Sequence, residues 1–197
     1  MKKSRKAEIK RKTKETEILL KLNLDGEGRS KIKTPLGFFN HLLESFARHG
    51  LFDLELNAAG DVEVGEHHLV EDLGITLGQA FNRAMDVRKG INRFGLSLVP
   101  MDEALARVVV DLSGRPCLIY QVEIPKEKQW EFDVNLVQEF FRAFANNAGI
   151  SLHIRLEYGT DYHHSLEAIF KALGKAMAQA VAINPREPSV PSSKGKL

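Results

Sequence analysis

Several features that would assign a protein to a special class are scarce or missing in this sequence. Cys117 is the one cysteine among 197 residues, so the chain has no internal disulfide framework and suits a reducing compartment. No apolar run approaches the roughly 18 residues of a membrane-spanning helix. The basic N-terminus is not followed by the apolar segment of a secretory signal. These absences favour a cytoplasmic protein that folds around an ordinary hydrophobic core.

Charge is close to balance overall but is unevenly distributed along the chain. The net charge is +2, and 43% hydrophobic with 27% charged residues suits a globular protein. The first 14 residues hold eight Lys or Arg against Glu8 alone, so the rest of the chain carries −5. A basic arm can bind nucleic acid. We favour a solvated first strand, because apolar residues alternate from Ile9 onward and an acidic remainder is a poor surface for nucleic acid.

The two halves of the chain have the same predicted order of elements. Alternating apolar residues predict strands, and apolar residues three and four positions apart predict helices. In the first half we predict strands at 15–26, 28–34 and 51–60 and helices at 34–50 and 67–85. In the second half we predict strands at 102–114, 115–124 and 150–159 and helices at 132–149 and 161–181. Asp133 and Asp161 are the predicted N-caps of the last two helices, and Gly65 is predicted at the position equivalent to Asp161.

This order predicts an α/β protein of the two-layer α+β type. Each half is read as a β-β-α-β-α unit, and two units give two mixed four-stranded sheets with helices packed on them. We expect a single pseudo-symmetric domain over residues 1–197. Its predicted parts are a first repeat at 8–95, a second repeat at 96–185 and a C-terminal tail at 186–197.

Four of the seven histidines lie in two copies of one motif, H-H-x-x-E. The copies are "GEHHLVEDLG" at 65–74 and "TDYHHSLEAI" at 160–169, and the motifs are 96 residues apart. Each pair should fall in the first turn of a helix, where the glutamate three or four positions on is a neighbour. Adjacent histidines diverge by about 100° around a helix. Each motif is therefore expected to serve two different ions, or one ion and a substrate.

Histidine and carboxylate together form a borderline ligand set that suits Mn, Fe, Zn, Co or Ni better than Ca or Mg. Helix-capping or surface histidines are the alternative, but two copies at equivalent places favour metal. His41 and His153 would complete three histidines and one glutamate per ion. The candidate metal ligands are His41, His67, His68, Glu71, His153, His163, His164 and Glu167.

Three loops could together bind a phosphate group. The stretches "NRFG" (92–95), "SGRP" (113–116) and "PSSKGKL" (191–197) combine Arg, Lys or Ser with glycine or proline. Singly, each is more typical of a solvated turn, but together they could clamp a phosphate by charge-assisted hydrogen bonds. The glycine-rich motifs of nucleotide-binding folds do not occur.

With these motifs in this order, the chain resembles the imidazoleglycerol-phosphate dehydratases, a family of histidine-biosynthesis enzymes. The resemblance runs from about Arg5 to the C-terminus. It rests on "RKTKET", "FFNHLL", "HGLFDLEL", "GEHHLVEDLGI", "KGINRFG", "DEALARVVVDLSGRP", "LHIRLEYGTDYHHSLEAIFKA" and "PSSKG".

The resemblance implies a hydro-lyase that converts D-erythro-imidazole-glycerol phosphate to imidazole-acetol phosphate on a ribosomal protein S5 domain 2-like fold. It also implies two Mn²⁺ ions per active site, with other divalent transition metals possible, and no nucleic-acid or membrane partner. The implied homo-oligomer is a 24-mer with active sites where subunits meet. One ion would take His41, His68, Glu71 and His164, and the other His67, His153, His163 and Glu167.

The implied reaction removes a proton that no carbonyl group acidifies. In the implied route a Mn-bound imidazolate expels the neighbouring hydroxyl, and a diazafulvene-like intermediate then acidifies the next C–H. Glu15 is the implied acid/base and Glu71 the alternative, with His41, His68 and His164 in the catalytic set. The implied substrate contacts are Glu15, His49, Arg93, Arg115, Lys171, Ser192, Ser193 and Lys194.

Three positions depart from the pattern of the family, and two other functions stay open. Asn40 and Ser45 stand where Asp and Gln are common, and "GEHH" at Gly65 replaces "DDHH", which removes an acid that could orient an imidazole. None of the three removes a ligand. The alternatives are a bimetallic hydrolase of a phosphorylated small molecule and a basic-armed RNA-binding protein, whose salt-sensitive binding would survive chelation.

Overall fold

Twelve elements follow one another in two similar series. The structure, a computed structural model, describes residues 4–124, 132–195 and 197. The first series is β1 (Lys6–Lys12), β2 (Thr16–Asn23), β3 (Ser30–Lys33), α1 (Gly37–Gly50), β4 (Asp53–Gly60) and α2 (His67–Met85). The second is β5 (Phe94–Met101), β6 (Ala104–Asp111), β7 (Cys117–Gln121), α3 (Leu136–Ala148), β8 (Ser151–Tyr158) and α4 (Tyr162–Val181).

The predicted fold class is confirmed, with one strand more per repeat than the predicted order. Each repeat is β-β-β-α-β-α. The basic segment forms β1, the solvated first strand that its alternation favoured, and an unpredicted strand, β5, precedes the second repeat's predicted strands. The predicted division between 95 and 96 falls inside β5. "FGLSLVPM" alternates buried and exposed residues, but its glycine and proline obscured the strand signal.

Both sheets are mixed and have the same strand order. They run β1-β2-β4-β3 and β5-β6-β8-β7. The last pair in each sheet, β3 with β4 and β7 with β8, is parallel, and the other pairs are antiparallel. Alternate residues of β2, such as Ile18, Leu20 and Leu22, are buried, so each sheet has one covered and one open face.

The helices of both repeats share one core between the sheets. Helices α1 and α2 pack on the first sheet, α3 and α4 pack on the second, and α1 contacts α4 as α2 contacts α3. This exchange of partners follows the pseudo-two-fold relation of the repeats. Eight phenylalanines are fully buried: Phe39, Phe46, Phe52, Phe81, Phe140, Phe141, Phe144 and Phe170. In the described residues, no helix has the length and apolarity needed to cross a membrane.

One of the three predicted helix caps is confirmed. Asp161 is the N-cap of α4, and its Oδ1 accepts the N–H of His164 at 2.9 Å. Asp133 instead closes the preceding turn by accepting the N–H of Asn135 at 2.9 Å, and α3 begins only at Leu136. The residue before α2 is Glu66 rather than Gly65, and Glu66 makes no side-chain cap.

A glycine allows α1 and α4 to approach closely. A Cβ atom on Gly174 would lie 2.5 Å from the carbonyl oxygen of Phe46 and 3.0 Å from the nitrogen of Gly50. No side chain fits at that distance, so the backbones are in direct contact. The contact fixes the distance between the His41 and Glu167 side chains, which project from these two helices.

We expect Gly174→Ala to destabilise the protein by about 1–3 kcal/mol, because the added methyl group must push two packed backbones apart. Urea denaturation of both proteins measures this loss. Gly37→Ala is the matched control, since it adds the same methyl group at the start of α1 where nothing lies within 4 Å. Equal stability of the two variants would show that the contact can relax.

Candidate functional site

Three predicted metal ligands meet where α1 crosses the start of α4. His41 Nε2 lies 3.1 Å from Glu167 Oε2, and His163 Nε2 lies 3.2 Å from the same oxygen. Ligand atoms that sit at right angles about 2.1 Å from an ion are about 3 Å apart. In the described part of the chain, this is the one group of three or more such side chains with ligand atoms within 4.8 Å of one another. The geometry and donor types fit a divalent transition metal.

Glu167 is buried and ionised at this cluster. Burial alone would raise its pKa, but hydrogen bonds from Lys171 and His41 outweigh that effect and lower the pKa to about 2. Lys171 Nζ lies 2.8 Å from Oε1 of Glu167, while Oε2 faces the histidines. Ser45, one of the departures from the family pattern, places its Oγ 3.5 Å from Oε1. The carboxylate therefore keeps one oxygen for Lys171 and directs the other at the imidazoles.

The equivalent place between α2 and α3 lacks such a cluster. His67 Nε2 lies 3.7 Å from Glu71 Oε2, and both side chains are about half exposed. Glu139 stands on α3 where α1 has His41, and it forms an ion pair with Arg142 on its own helix. The pseudo-symmetry of the fold thus places two motifs alike, but within the described ranges a third potential ligand comes from the chain on the α1–α4 side alone.

The second histidine of each motif is held by a carboxylate from outside its helix. Nδ1 of His164 lies 2.8 Å from Glu103, and Nδ1 of His68 lies 3.1 Å from Asp61. These contacts raise the pKa of both histidines. A neutral imidazole that donates from Nδ1 has its Nε2 lone pair free for a metal. Asp61 therefore supplies an orienting acid near "GEHH", despite the departure at Gly65.

Glu103 is tightly bound at the start of α4. The pKa of its carboxyl group is lowered to about 2, first by the backbone N–H of Asp161 and then by His164. The Asp161 N–H donates to Oε1 at 2.9 Å, which leaves Oε2 for the imidazole. The β5–β6 turn and the helix start are thus locked together around His164.

His153 lies apart from both motifs, on the open face of the second sheet. It is exposed on β8, between Val109 of β6 and Ile119 of β7, whose side chains are 36% and 41% exposed. Residues 152 and 154 point into the core. The chain alone therefore does not bring His153 to the cluster.

The single chain also differs from the expected division of ligands between ions. His41 was expected with His68, Glu71 and His164, but it lies with His163 and Glu167. The expected division separates the members of each adjacent pair. In the chain, His163 and His164 have different carboxylate partners, Glu167 and Glu103.

Several of the predicted phosphate contacts gather near the C-terminal tail. Arg93 binds Asp111 through Nε at 2.7 Å and through a second nitrogen, and it donates to the carbonyl of Pro191 at 2.9 Å. That bond holds the tail just before Ser192, Ser193 and Lys194. At the other end of the tail, Leu197 lies against Gly114, next to Arg115.

Lys171 of α4 and His49 of α1 are a second set of residues predicted to bind the phosphate. Burial lowers the pKa of His49, and the nearby charge of Lys171 lowers it further. Arg93 is hydrogen-bonded to Ala180, nine residues beyond Lys171 on α4, which corresponds to about 13 Å along the helix. Within one chain, the Lys171 set therefore lies near the middle of α4 and the Arg93 set near its C-terminal end.

Glu15, the predicted acid/base, is exposed in the turn between β1 and β2. Its N–H donates to Thr13 Oγ1 at 3.0 Å, and its carbonyl accepts the N–H of Asp61 at 3.1 Å. No described side chain binds its carboxylate. The backbone of the turn is fixed beside His68 while the acid itself stays free.

Sequence reasoning missed Asp61 and Glu103, the acids that contact His68 and His164, and the buried Asp72 near the Glu15 turn. Asp61 and Glu103 lie outside the H-H-x-x-E motifs, so the motif spacing gave no sign of them. Aligning the two repeats at β2 and β6, which start 88 residues apart, could have pointed to Glu103. In that alignment Glu103 is the equivalent of Glu15.

Known proteins of one family match almost the whole chain. The family model for imidazoleglycerol-phosphate dehydratase matches residues 34–177. The chain is 55% identical over 194 residues to the imidazoleglycerol-phosphate dehydratase of Pelobacter propionicus, covering 98% of this chain and 100% of the relative. It is 53% identical to the Geobacter sulfurreducens protein of that name, with the same coverage.

Solved structures of the same enzyme share the fold. The crystal structure from Staphylococcus aureus gives a TM-score of 0.82 at 40% identity, covering 91% of this chain and 99% of that one. The crystal structure from Pyrococcus furiosus, in complex with (S)-C348, gives a TM-score of 0.83 at 36% identity, covering 96% and 100%. The chain therefore belongs to the imidazoleglycerol-phosphate dehydratase family.

Proposed function

We propose that the chain dehydrates D-erythro-imidazole-glycerol phosphate to imidazole-acetol phosphate, a step of histidine biosynthesis. The observation that carries the proposal is the His41–His163–Glu167 cluster, found in a chain that matches this family along almost its whole length. The lone cysteine is consistent with a cytoplasmic location.

Two Mn²⁺ ions per active site are part of the proposal. His41, His163 and Glu167 would hold one ion and His68, Glu71 and His164 would contribute to the other, with His67 and His153 completing the two sets. A bound ion of this kind supplies Lewis acidity, which favours the deprotonated imidazole ring of the substrate. The donor types and the spacing near 3 Å support this choice of ligands.

Glu15 moves the proton in this proposal. Its carboxylate is exposed and unengaged by the described side chains, so it is free to take a proton from the carbon beside the carbinol and to return one. Glu71 is the alternative, but a metal ligand is a poorer base because its electron pairs are already shared. Arg93, Arg115, Lys171, His49, Ser192, Ser193 and Lys194 would bind the phosphate group.

We also propose that active sites form between subunits of a 24-mer. Two observations support assembly: among the described residues the single chain gives the first motif, at 65–74, no third ligand, and His153 lies on an open sheet face. Exposed apolar side chains surround it on that face: Phe94, Leu96, Leu98, Val109 and Ile119. Exposed apolar patches of this kind are typical of protein interfaces.

The activity is tested with purified protein, Mn²⁺ and imidazole-glycerol phosphate, while metal content, product and inorganic phosphate are measured together. Imidazole-acetol phosphate without phosphate release supports the dehydratase. Phosphate release would instead identify a bimetallic hydrolase. Salt-sensitive RNA binding that survives EDTA, without turnover, would favour the nucleic-acid alternative.

Removing residues 192–197 is expected to raise the KM of the phosphorylated substrate at least tenfold. The tail carries Ser192, Ser193 and Lys194 and is anchored by Arg93 through Pro191, which the truncated chain retains. Inhibitors that lack a phosphate should bind within about threefold of the full chain. An equal loss for both kinds of ligand would contradict a phosphate role of the tail.

A further inference from the structure

The two repeats can be aligned residue by residue at the first two strands. Arg11 pairs with Ile18 across β1 and β2, and Val99 pairs with Ala106 across β5 and β6. These pairs are 88 residues apart, as are the strand starts Thr16 and Ala104. The same offset relates the two turns, so Glu15 and Glu103 occupy equivalent positions in the two repeats. On the helices the H-H-x-x-E motifs set an offset of 96 residues, which relates Asp72 to Ala168.

A buried polar network occupies this place in the first repeat. Asp72 is 6% exposed on α2, directly after Glu71. Its Oδ1 lies 2.8 Å from a terminal nitrogen of Arg11, and its Oδ2 accepts the hydroxyl of Thr16, which is 4% exposed. Arg11 Nε is buried without a hydrogen-bond partner among the described residues. The network thus keeps the Asp72 carboxylate and part of the Arg11 guanidinium in the core, and the unpaired Nε costs free energy of folding.

The second repeat fills the same place with apolar side chains. Val99, Ala104 and Ala168 are all buried, at 7%, 1% and 0% exposure. The same sheet-on-helix packing therefore forms without any polar group there. The fold therefore does not require Arg11, Thr16 and Asp72. We infer that these residues serve a function that the first repeat has and the second lacks.

The turn beside the network also differs between the repeats, because its glutamate is free in the first and bound in the second. In the first repeat, Thr13 Oγ1 accepts the N–H groups of Glu15 and Thr16 at 3.0 and 2.9 Å, and the Glu15 carboxylate is unengaged by the described side chains. In the second repeat, the Glu103 carboxylate binds the helix start directly and so holds its own turn. A glutamate that must stay free cannot anchor its turn, and another group has to do so.

We propose that Arg11, Thr16 and Asp72 are positioning residues that lock the Glu15 turn to the start of α2. Thr16 ends the turn, Asp72 follows Glu71, and one carboxylate joins them. The network thereby sets the distance from the Glu15 carboxylate to the groups on the first turn of α2. This inference rests on the proposed function, in which Glu15 moves a proton.

The test transplants the second repeat's side chains into the first. The triple variant Arg11→Val, Thr16→Ala, Asp72→Ala should fold, because replacing a buried ion pair by apolar groups is often neutral or stabilising. We expect a melting temperature equal to or above that of the parent, unchanged metal content and a KM within threefold. We expect kcat to fall at least tenfold, because misplacing a proton-transfer group affects the chemical step.

Two matched comparisons separate positioning from a general structural effect. In a Glu15→Gln background, the triple substitution should lower kcat by less than twofold further, because residues that act through one group are not additive. The single substitution Thr16→Val keeps the shape of the side chain and should by itself lower kcat. Thr76→Val is its control, since Thr76 is a buried threonine on α2 whose hydroxyl donates to the backbone carbonyl of Asp72 and not to its carboxylate.

A kcat within twofold of the parent in both the triple variant and Thr16→Val would overturn the inference, as would a fully additive loss with Glu15→Gln. Failure of the proposed function is a different result, in which the unmodified protein does not form imidazole-acetol phosphate. In that case, hydrogen exchange of the Glu15 amide decides the matter. Faster exchange in Thr16→Val than in Thr76→Val supports a locked turn, and equal exchange refutes it.

Discussion

Glu167→Gln is expected to reduce turnover at least ~100-fold and to lower bound metal. Changing an outer partner of a metal ligand already costs about 10–100-fold in affinity or activity, so loss of the ligand's charge should cost at least as much. Glu167 also binds Lys171 on its own helix at 2.8 Å and His41 across the α1–α4 contact at 3.1 Å. Its pKa near 2 keeps the parent carboxylate ionised wherever the imidazoles are neutral.

The measurement combines steady-state kinetics with metal analysis of the purified variants. His164→Ala should behave in the same way, because its imidazole is 32% exposed at the start of α4 and contributes little to the core. Glu44→Gln is the control for the change of charge, as Glu44 is exposed on α1 near His41. If either ligand variant retained more than about a tenth of the activity, a loss of under ~1.4 kcal/mol, that residue would not be a ligand.

Removing metal is expected to dissociate the assembled particle. If the ligands of one ion come from different subunits, the ion links those subunits, and its binding stabilises the assembly by mass action. We expect a large particle with Mn²⁺ at neutral pH that breaks into smaller oligomers, including trimers, on EDTA treatment. Re-addition of Mn²⁺ should restore the original mass, and light scattering follows both steps.

Mild acid should have the same effect as EDTA, because an imidazole must be neutral to bind metal. Asp61 and Glu103 raise the pKa of His68 and His164 above the ordinary value of 6.5. Protons therefore compete with metal at a higher pH than they would at a free histidine, and metal is lost as the pH falls through that raised range. A particle of constant mass after verified metal loss would refute the coupling but not the catalytic assignment.

The sequence predicted the fold well wherever the apolar periodicity was regular. The helix at 67–85 and the strand that ends at Gly60 were found within a few residues, since each has one buried face. β5 was missed because its turn residues masked the alternation. The start of α3 was placed too early because Asp133 closes the turn before the helix instead of capping it.

The candidate metal ligands could be chosen from the repeated motif, but their grouping in the structure could not be predicted. Which histidine meets Glu167 depends on the crossing of α1 and α4, and that crossing is set by a glycine contact between residues far apart in sequence. The roles of Asp61 and Glu103 were hidden for a similar reason. Each reaches its histidine from a turn, so no helical spacing relates the two.

The shared phenylalanine core has a consequence for how the molecule unfolds. Phe46 and Phe81 come from the first repeat, Phe144 and Phe170 from the second, and rings from both repeats are in contact. Neither half can open without exposing the aromatic surface of the other, so we expect the chain to melt in one cooperative transition. The two helices that carry His41 and Glu167 then separate only when the whole subunit unfolds, so the contact between these two side chains lasts as long as the core.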